Sequence, residues 1–409
     1  MLTRVVVVGA SLAGFSAARA LRGQGYDGEI TLVGAERHRP YDRPPLSKSF
    51  LAGHIPAAEL ALASGQEEAD LALQWQLGRR AVGLDPVEGA VVLDTGQRLL
   101  ADGVVVATGA RARTLPGPSP AGVHTLRTLD DAEALRADLV DAERVVVVGA
   151  GFVGAEVAAT LHGLGRQVTL VEALRAPLAG PLGEEMGAVC ARMHADHGVR
   201  LLTGVGVDGF VTARTGGGER VTGVRLGTGE QLAADLVVVG VGAVPNVEWL
   251  AGSGLVLSGG VVTDVRCATN LESVVATGDC AASYHPCADG PLRLEHWTNA
   301  LEQPAAAAAT LLGAPDPRPP RSLVPYFWSD QYGSTVQFAG VGRVGDRVEV
   351  VEGDPDQGGF VAVYRRGERL VAVLARDQPQ SFGRWRRDLV GTVTGRTDPR
   401  PHDPEGAPR

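Results

Sequence analysis

The sequence has 409 residues, but it contains little lysine and little cysteine. Lys48 is the one lysine beside 37 arginines, and a codon bias explains why arginine stands almost everywhere that either cation would do. An ammonium is compact whereas a guanidinium is a wide planar fork, so Lys48 marks a position where arginine would not serve. Four cysteines do not make a disulfide framework, which favours a reducing cytoplasm.

Long apolar runs and an excess of positive charge are also missing. No run reaches the ~18–20 residues that span a bilayer, so we expect no membrane partner. The net charge of -9 argues against a general nucleic-acid partner. The composition is that of a globular protein, and the length suggests two to four domains at ~100–200 residues each.

One pattern occurs twice, in residues 4–21 and again in residues 144–161. Each copy has a run of valines, a turn that contains glycine, and small or apolar residues at helical spacing. A continuous valine run is typical of a parallel strand that is buried on both faces. A second strand-like run follows each copy, at 29–33 and 167–171. The repeated strand–helix–strand order predicts an α/β fold with two Rossmann-like dinucleotide-binding domains.

The chain changes in character after residue 312. Residues 313–322 are rich in proline and predict a linker. Short segments of alternating polar and apolar residues follow and favour an antiparallel sheet. Residues 382–393 predict a closing helix, and residues 397–409 predict a disordered tail.

The second turn, at residues 149–154, is a full G-x-G-x-x-G motif. It follows a predicted strand and opens a predicted helix, and Glu172 ends the next strand 23 residues after Gly149. This context indicates a dinucleotide site, because the glycines admit a pyrophosphate to the helix N-terminus. Glu172 would accept hydrogen bonds from a ribose and repel a 2′-phosphate, so we expect NADH over NADPH, although Arg175 lies nearby.

The first turn, at residues 9–14, is a weaker match because Ser11 replaces the middle glycine. Glu36 follows Gly9 by 27 residues, and it either binds a ribose or is a solvated loop charge. Asp279 follows an apolar strand, where it binds sugar-like hydroxyls, caps a helix, or does both.

The loop at residues 39–48 contains three prolines and cannot be helical throughout. It presents Arg43 and Lys48 on a stiff backbone. Without further context, a surface loop with two solvated charges would be the better explanation.

Together these motifs resemble the FAD-dependent, NADH-oxidising ferredoxin reductases that serve ring-hydroxylating dioxygenases and bacterial cytochromes P450. The similarity covers nearly the whole chain, and its most specific segments are 39–48 (RPYDRPPLSK), 276–281 (ATGDCA) and 295–303 (EHWTNALEQ). It implies two Rossmann-like domains of the glutathione-reductase type and a C-terminal α+β interface domain. The implied boundaries are 1–110 and 236–315 for the FAD-binding domain, 111–235 for the NAD-binding domain and 322–396 for the interface domain.

The resemblance also assigns residues to the cofactors. Arg43 would lie near the FAD pyrophosphate, Asp279 at the ribityl chain, and Trp297 beside the isoalloxazine. The full set implied for FAD is Gly9, Ser11, Leu12, Ala13, Gly14, Glu36, Arg43, Lys48, Val82, Ala107, Thr108, Gly109, Arg127, Gly278, Asp279 and Trp297. The set implied for NAD is Gly149, Gly151, Phe152, Val153, Gly154, Glu172 and Gly242.

By the resemblance, three residues would take part in catalysis: Lys48, Glu156 and Trp297. By the resemblance, Lys48 lies at the N5 side of the flavin and pairs with Glu156. Glu156 stands two residues past Gly154, close to where a nicotinamide must pass. A positive charge near N5 favours acceptance of hydride, and the pair keeps both buried charges compensated.

The cysteines argue against a dithiol relay, which related two-dinucleotide flavoenzymes often use. No C-x-x-C occurs, and the four cysteines all follow residue 189: Cys190, Cys267, Cys280 and Cys287. We expect them to be buried structural thiols. His194 and His197 lack a metal-binding partner motif, so we expect surface histidines and no metal site.

The resemblance therefore implies an NADH:ferredoxin oxidoreductase. Electrons would pass from NADH through FAD to a [2Fe–2S] ferredoxin and on to a cytochrome P450 or Rieske-type oxygenase. The contact would be small and transient, with the reductase a monomer or weak dimer. Arg384, Arg386 and Arg387 either steer an acidic ferredoxin or form a solvated helix face. Two alternatives stay open: direct reduction of a quinone, nitro compound or dioxygen, and a redox-sensing interaction protein.

Overall fold

The computed structural model describes residues 2–216, 218–314 and 324–394. The predicted tail and most of the predicted linker lie outside these residues. In chain order, the α-helices are α1 (Leu12–Gly23), α2 (Gly65–Leu71), α3 (Leu129–Asp138), α4 (Phe152–Gly163), α5 (Ala179–Asp196), α6 (Trp297–Leu311) and α7 (Pro379–Thr394). Short 3-10 helices lie at Pro44–Ser47, Ala57–Leu60, Glu248–Leu250 and Gly278–Cys280. None of the described helices is long and apolar enough to cross a membrane.

The first valine repeat forms the centre of a five-stranded parallel sheet, as the sequence predicts. The strand order is Val274–Ala276, Gly103–Val106, Arg4–Val8, Glu29–Gly34 and Leu73–Leu77. Val5 and Val7 pack into a core with residues of α1 and α6, while Val6 and Val8 pack into a core on the opposite face. A strand that is covered on both faces has no solvent side, which explains why the valines follow one another without alternating polar residues.

The second valine repeat forms the centre of a second five-stranded parallel sheet. The strand order is Arg200–Thr203, Gln167–Glu172, Arg144–Val148, Leu236–Val239 and Val123–His124. Val145 and Val147 pack with residues of α3 and α4, and Val146 and Val148 pack against antiparallel strands on the other face. Both Rossmann-like units are therefore built in the same way.

The chain crosses between the two units at a short antiparallel ribbon, in which Ala110–Ala112 pairs with Ala243–Pro245. The family resemblance implies that the second FAD segment begins at residue 236. The structure differs, because Leu236–Val239 pairs with Arg144–Val148 and is fully buried in the second sheet. The return to the first unit thus comes after that strand, at the ribbon.

Smaller sheets cover the outer faces of both units. Their strands are Ala81–Asp85, Ala90–Leu93 and Arg98–Leu100; Val207–Thr215, Gly218–Leu226 and Gln231–Ala233; and Val261–Thr263, Ala281–His285 and Gly290–Arg293. The first two sets are antiparallel and the third is mixed.

The predicted C-terminal antiparallel sheet and its closing helix are confirmed. The strand order is Tyr326–Gln331, Ser334–Gly340, Arg369–Arg376, Phe360–Arg366 and Arg347–Gly353. One face packs with Phe382 and Leu389 of α7, and the other packs with Met186 and Met193 of α5. The C-terminal sheet is therefore docked on the second Rossmann-like unit.

Candidate functional site

The first glycine turn leaves no room for side chains where it enters α1. Gly9 has a φ of +121°, and a Cβ there would lie 2.0 Å from the carbonyl oxygen of Ala107. A Cβ on Gly14 would lie 1.7 Å from the carbonyl oxygen of Gly9. Helix α1 begins at Leu12 with Ser11 as its N-cap, and the Ser11 side chain makes no capping hydrogen bond. The first-turn amides of α1 therefore stay available to an anion.

A guanidinium lies beside this turn. Arg43 donates from Nε to Oγ of Ser11 at 3.1 Å and from Nη2 to Oε1 of Glu36 at 2.6 Å. Its Nη1 donates to the carbonyl oxygen of Arg127. The 3-10 helix Pro44–Ser47 follows directly and stiffens the loop through its two prolines. A fixed cation beside available amides fits a pyrophosphate.

Glu36 is hydrogen-bonded at both carboxylate oxygens. Oε1 accepts from Arg43, and Oε2 accepts from the hydroxyl of Tyr41 at 2.5 Å. The Tyr41 oxygen in turn accepts from the amide of Leu129 at 2.9 Å. The Glu36 side chain is only 27% exposed, so it is not a solvated loop charge. Its binding of a ribose stays a prediction.

The Gly-Asp segment, Gly278 and Asp279, contacts the start of α1. A Cβ on Gly278 would lie 2.7 Å from Cβ of Ala13, so only glycine allows this approach. Asp279 accepts from Arg127 at 2.5 Å, and Arg127 also donates to the carbonyl of Ala110 at 3.0 Å. Thr277, and not Asp279, occupies the N-cap position of the short helix. The Asp279 carboxylate is therefore not used as a cap.

Thr108 and Gly109 follow the strand of the first sheet that neighbours the glycine turn. The Thr108 hydroxyl donates to the Asn246 carbonyl at 2.6 Å, and the Asn246 side-chain amide donates back to the Thr108 carbonyl at 3.0 Å. Gly109 adopts a φ of +62°. Val82 belongs to the separate strand Ala81–Asp85 and is about half exposed. Its contact with FAD stays a prediction.

The second glycine turn repeats the geometry of the first. Gly149 has a φ of +97°, and a Cβ there would lie 2.3 Å from the carbonyl oxygen of Gly240. A Cβ on Gly154 would lie 1.9 Å from the carbonyl oxygen of Gly149. Helix α4 begins at Phe152 with Gly151 as its N-cap, so no side chain caps it. This turn, too, offers helix amides to an anion.

Glu172 ends its strand facing the second turn. Its Oε2 accepts from the amide of Ala150 at 2.7 Å, and its Oε1 accepts from the amide of Leu174 at 2.9 Å. The carboxylate thus also holds the backbone of the turn, a contact that the spacing did not predict. Val153 at the start of α4 is 42% exposed, and Gly242 has a φ of +104°. Their contacts with NAD stay predictions.

The single lysine forms the predicted ion pair. Lys48 Nζ lies 2.8 Å from Oε2 of Glu156, with the two side chains 21% and 7% exposed. Ser47 donates to the same carboxylate oxygen at 2.5 Å, and Ser329 donates to Oε1 at 2.9 Å. One ammonium and two hydroxyls therefore compensate a buried carboxylate. The pair joins the proline-rich loop of the first unit to the helix that opens with the second glycine turn.

Known families match both parts of the chain. Residues 3–304 match the family described as pyridine nucleotide-disulphide oxidoreductase, and residues 326–399 match the one described as reductase C-terminal. The chain belongs to the pyridine nucleotide-disulphide oxidoreductase family. The reductase C-terminal match covers the docked sheet and α7.

Individual relatives match over almost their full length. Rhodocoxin reductase of Rhodococcus erythropolis is 40% identical over 94% of this chain and 89% of that protein. The ferredoxin reductase component of chlorobenzene dioxygenase from a Cupriavidus species is 38% identical over 93% of this chain and 91% of that protein. The solved structure of a covalent putidaredoxin reductase–putidaredoxin complex matches with 35% identity and a TM-score of 0.89, covering 95% of this chain and 93% of that chain.

The family name refers to a disulphide, but the cysteines here are poorly placed for redox chemistry. Cys190, Cys267 and Cys280 are each at most 2% exposed. The expected burial is wrong for Cys287, which is partly exposed because it lies in the turn between the strands Ala281–His285 and Gly290–Arg293. Burial raises the pKa of Cys190 to about 12 and raises the pKa of Cys267 and Cys280 as well. A thiol that stays protonated is a poor nucleophile, so these three are structural, as predicted.

Trp297 begins α6 and is part of an aromatic group. Its Nε1 donates to Oδ1 of Asp42 at 2.7 Å. Its ring meets Trp328 edge to face at 5.9 Å, and Tyr326 stacks on Trp328 at 6.1 Å. Trp328 and Tyr326 lie on the C-terminal strand next to the ion pair, and sequence reasoning did not single them out. The signal in the sequence that could have identified them is a predicted strand that carries both aromatic and polar residues.

The expected surface position of His194 is wrong. His194 is 1% exposed, and its Nδ1 lies 2.7 Å from the hydroxyl of Tyr332. Because the C-terminal sheet covers α5, a helix face that would otherwise meet solvent is buried. Desolvation lowers the pKa of His194 to about 4. His197, by contrast, is exposed as expected.

Proposed function

We propose that this chain takes hydride from NADH onto bound FAD and passes single electrons to a [2Fe–2S] ferredoxin, which serves a cytochrome P450 or a Rieske-type oxygenase. The observation that carries the proposal is the Lys48–Glu156 pair, which joins one dinucleotide cradle to the other. The printed names of the relatives, rhodocoxin reductase and ferredoxin reductase component, support the nature of the acceptor. We propose the cytoplasm as the compartment, on the low cysteine content.

The residues of the first turn fit FAD. A Cβ at Gly9 or Gly14 would fill the cradle, and the uncapped amides of α1 together with Arg43 suit a pyrophosphate. Asp279 would accept hydrogen bonds from the ribityl hydroxyls while Arg127 orients its carboxylate. When bound, FAD supplies the chemistry that no side chain offers, the acceptance of an electron pair as hydride and its release as single electrons.

The residues of the second turn fit NADH. The cradle of Gly149 and Gly154 would hold the pyrophosphate, and Glu172 would accept hydrogen bonds from the adenosine ribose. A carboxylate at this place repels a 2′-phosphate, so NADH is the preferred donor. The hydrogen bond from the amide of Ala150 keeps the Glu172 carboxylate in one position.

Lys48 provides a fixed positive charge. Glu156 holds its ammonium at 2.8 Å, and the carbonyl oxygen of Pro44 accepts from it at 3.2 Å. A preorganised charge stabilises negative charge that develops next to it during the reaction. The site needs a single compact donor here, because a planar guanidinium directs several N–H groups over a wider area.

The C-terminal part offers a surface for the acceptor. Arg386 of α7 lies 4.5 Å from the ring centroid of Tyr326, which stacks on Trp328. Arg384 is instead paired with Glu352 at 3.0 Å. An acidic ferredoxin would be attracted by arginines at this edge, through a contact below ~1,200 Å².

The test is oxidation of NADH by the FAD-loaded protein with and without a panel of [2Fe–2S] ferredoxins, followed by ferredoxin-dependent reduction of cytochrome c. We expect rapid cytochrome reduction only with a matching ferredoxin. Equally fast turnover with a quinone, a nitro compound or dioxygen alone would favour direct reduction of a small acceptor. Slow turnover accompanied by NADH-dependent dimerisation would favour a redox-sensing protein.

A further inference from the structure

A third part of the chain reaches the ion pair. Ser329 lies in the C-terminal strand Tyr326–Gln331 and is fully buried. Its Oγ donates to Oε1 of Glu156 at 2.9 Å, whereas Lys48 and Ser47 both contact Oε2. The carboxylate is therefore held at one oxygen by the C-terminal sheet and at the other by the loop of the first unit.

The hydroxyl of Ser329 has its own orienting partner. Nε2 of Gln331 donates to Oγ of Ser329 at 3.0 Å, and Gln331 is 2% exposed. A hydroxyl has a single hydrogen, so an oxygen that accepts from Gln331 directs that hydrogen to Glu156. Residues two apart in a strand face the same side, which places the side chains of Ser329 and Gln331 on one face of the strand.

The strand that carries Ser329 is anchored along α4. Phe327 packs on Phe152 at the start of the helix, with ring centroids 4.3 Å apart. Tyr332, just past the strand, contacts His162 near the helix end, with centroids 6.0 Å apart. The contact to Glu156 lies between these two anchors. Ser329 is thus presented by a rigid element, which is what precise positioning requires.

We propose that Ser329 is a positioning residue for the hydride-accepting site, acting through Glu156 on the ammonium of Lys48. This inference rests on the proposed function. Without the Ser329 hydroxyl, Oε1 becomes a buried acceptor that lacks its donor. The carboxylate would then turn to share both oxygens with the remaining donors, and the Lys48 ammonium would move with it. The C-terminal sheet would therefore complete the flavin-reducing site as well as present the acceptor surface.

The kinetic test uses the FAD-loaded protein and three variants. Ser329→Ala removes the hydroxyl, Ser329→Thr keeps it, and Ser381→Ala is the matched control. Ser381 is also buried in the C-terminal part and donates to Oε2 of Glu352 at 2.5 Å. In anaerobic stopped flow, Ser329→Ala should reduce its flavin about 10-fold more slowly at saturating NADH, with the apparent Kd for NADH unchanged. Ser329→Thr should recover most of the rate, and Ser381→Ala should keep it.

A second readout needs no turnover. Because Lys48 is the one lysine, protein labelled with 15Nζ-lysine gives a single side-chain ammonium signal. Ser329→Ala should shift this signal, Ser329→Thr should return it toward the wild-type position, and Ser381→Ala should leave it in place. An unshifted signal in Ser329→Ala, or an unchanged rate of flavin reduction, would overturn the inference. If no ferredoxin accepts electrons, the proposed function fails, yet both readouts on Ser329 keep their meaning.

Discussion

Replacing Lys48 with methionine leaves Glu156 as a buried carboxylate without its cation. Removal of one partner of a buried pair costs about 3–5 kcal/mol of folding free energy. Here the hydroxyls of Ser47 and Ser329 remain as donors, and Lys48 is 21% exposed. We therefore expect Lys48→Met to lower the free energy of unfolding by about 2–3 kcal/mol.

The double variant measures the coupling energy between Lys48 and Glu156 apart from the contacts that each makes with other residues. Glu156→Gln removes the buried charge but leaves a partly solvated ammonium, so we expect a loss of about 1–2 kcal/mol. Lys48→Met combined with Glu156→Gln has no buried charge to compensate and should lose only about 2 kcal/mol. The single losses would then exceed the double loss by about 2 kcal/mol, which is the coupling energy of the pair.

Urea unfolding of the four FAD-loaded proteins, at one excess of FAD, measures this cycle. Comparable slopes would allow the midpoints to be converted to free energies. The exposed pair Arg347–Glu349 is the control, and Arg347→Met should change stability by less than about 1 kcal/mol. Losses that add within about 0.5 kcal/mol would contradict an energetic coupling between Lys48 and Glu156, because uncoupled residues behave in that way.

Three further predictions concern Glu172, Arg43 and His194. Glu172→Arg should raise the NADPH-to-NADH ratio of kcat/KM by at least about 10-fold, and an unchanged ratio would remove Glu172 from the ribose site. Arg43→Met should weaken FAD binding to the apoprotein by about 10-fold in a fluorescence titration, and an equal Kd would contradict its pyrophosphate role. Folding holds the pKa of His194 at about 4, whereas the unfolded chain protonates it near 6.5, so stability should fall as the pH drops from about 6.5 toward 4. His194→Gln should lose about 2 kcal/mol less between pH 7 and 5 in thermal unfolding, and an equal loss would exclude this histidine as the cause.

Local patterns in the sequence predict the two cradles. The valine runs, the glycines of each turn and the helix that follows all lie within about 20 residues, and short-range geometry alone explains them. Gly14 illustrates this, because the clash that forbids a side chain is with Gly9, five residues earlier. The Lys48–Glu156 pair joins residues far apart in the chain, and only the family resemblance predicts it.

The contacts that sequence reasoning missed join different parts of the fold. Ser329 and Glu156 are 173 residues apart, and nothing in the spacing brings that strand to α4. His194 was misplaced because an amphipathic helix face looks the same whether solvent or another sheet covers it. The implied boundary at residue 236 is wrong because it places Leu236–Val239 in the FAD-binding domain, whereas this strand pairs with Arg144–Val148 in the second sheet.

The proposed hydride transfer depends most on the placement of the Lys48 ammonium beside the reacting flavin. Anaerobic stopped-flow reduction of the FAD-loaded protein by NADH tests this directly in wild type, Lys48→Met and Lys48→Arg. We expect both variants to reduce their flavin at least about 10-fold more slowly at saturating NADH, with similar apparent Kd values for NADH. Equal rate constants in all three proteins would contradict a role of the Lys48 ammonium in flavin reduction, and wild-type behaviour of Lys48→Arg alone would show that any cation suffices.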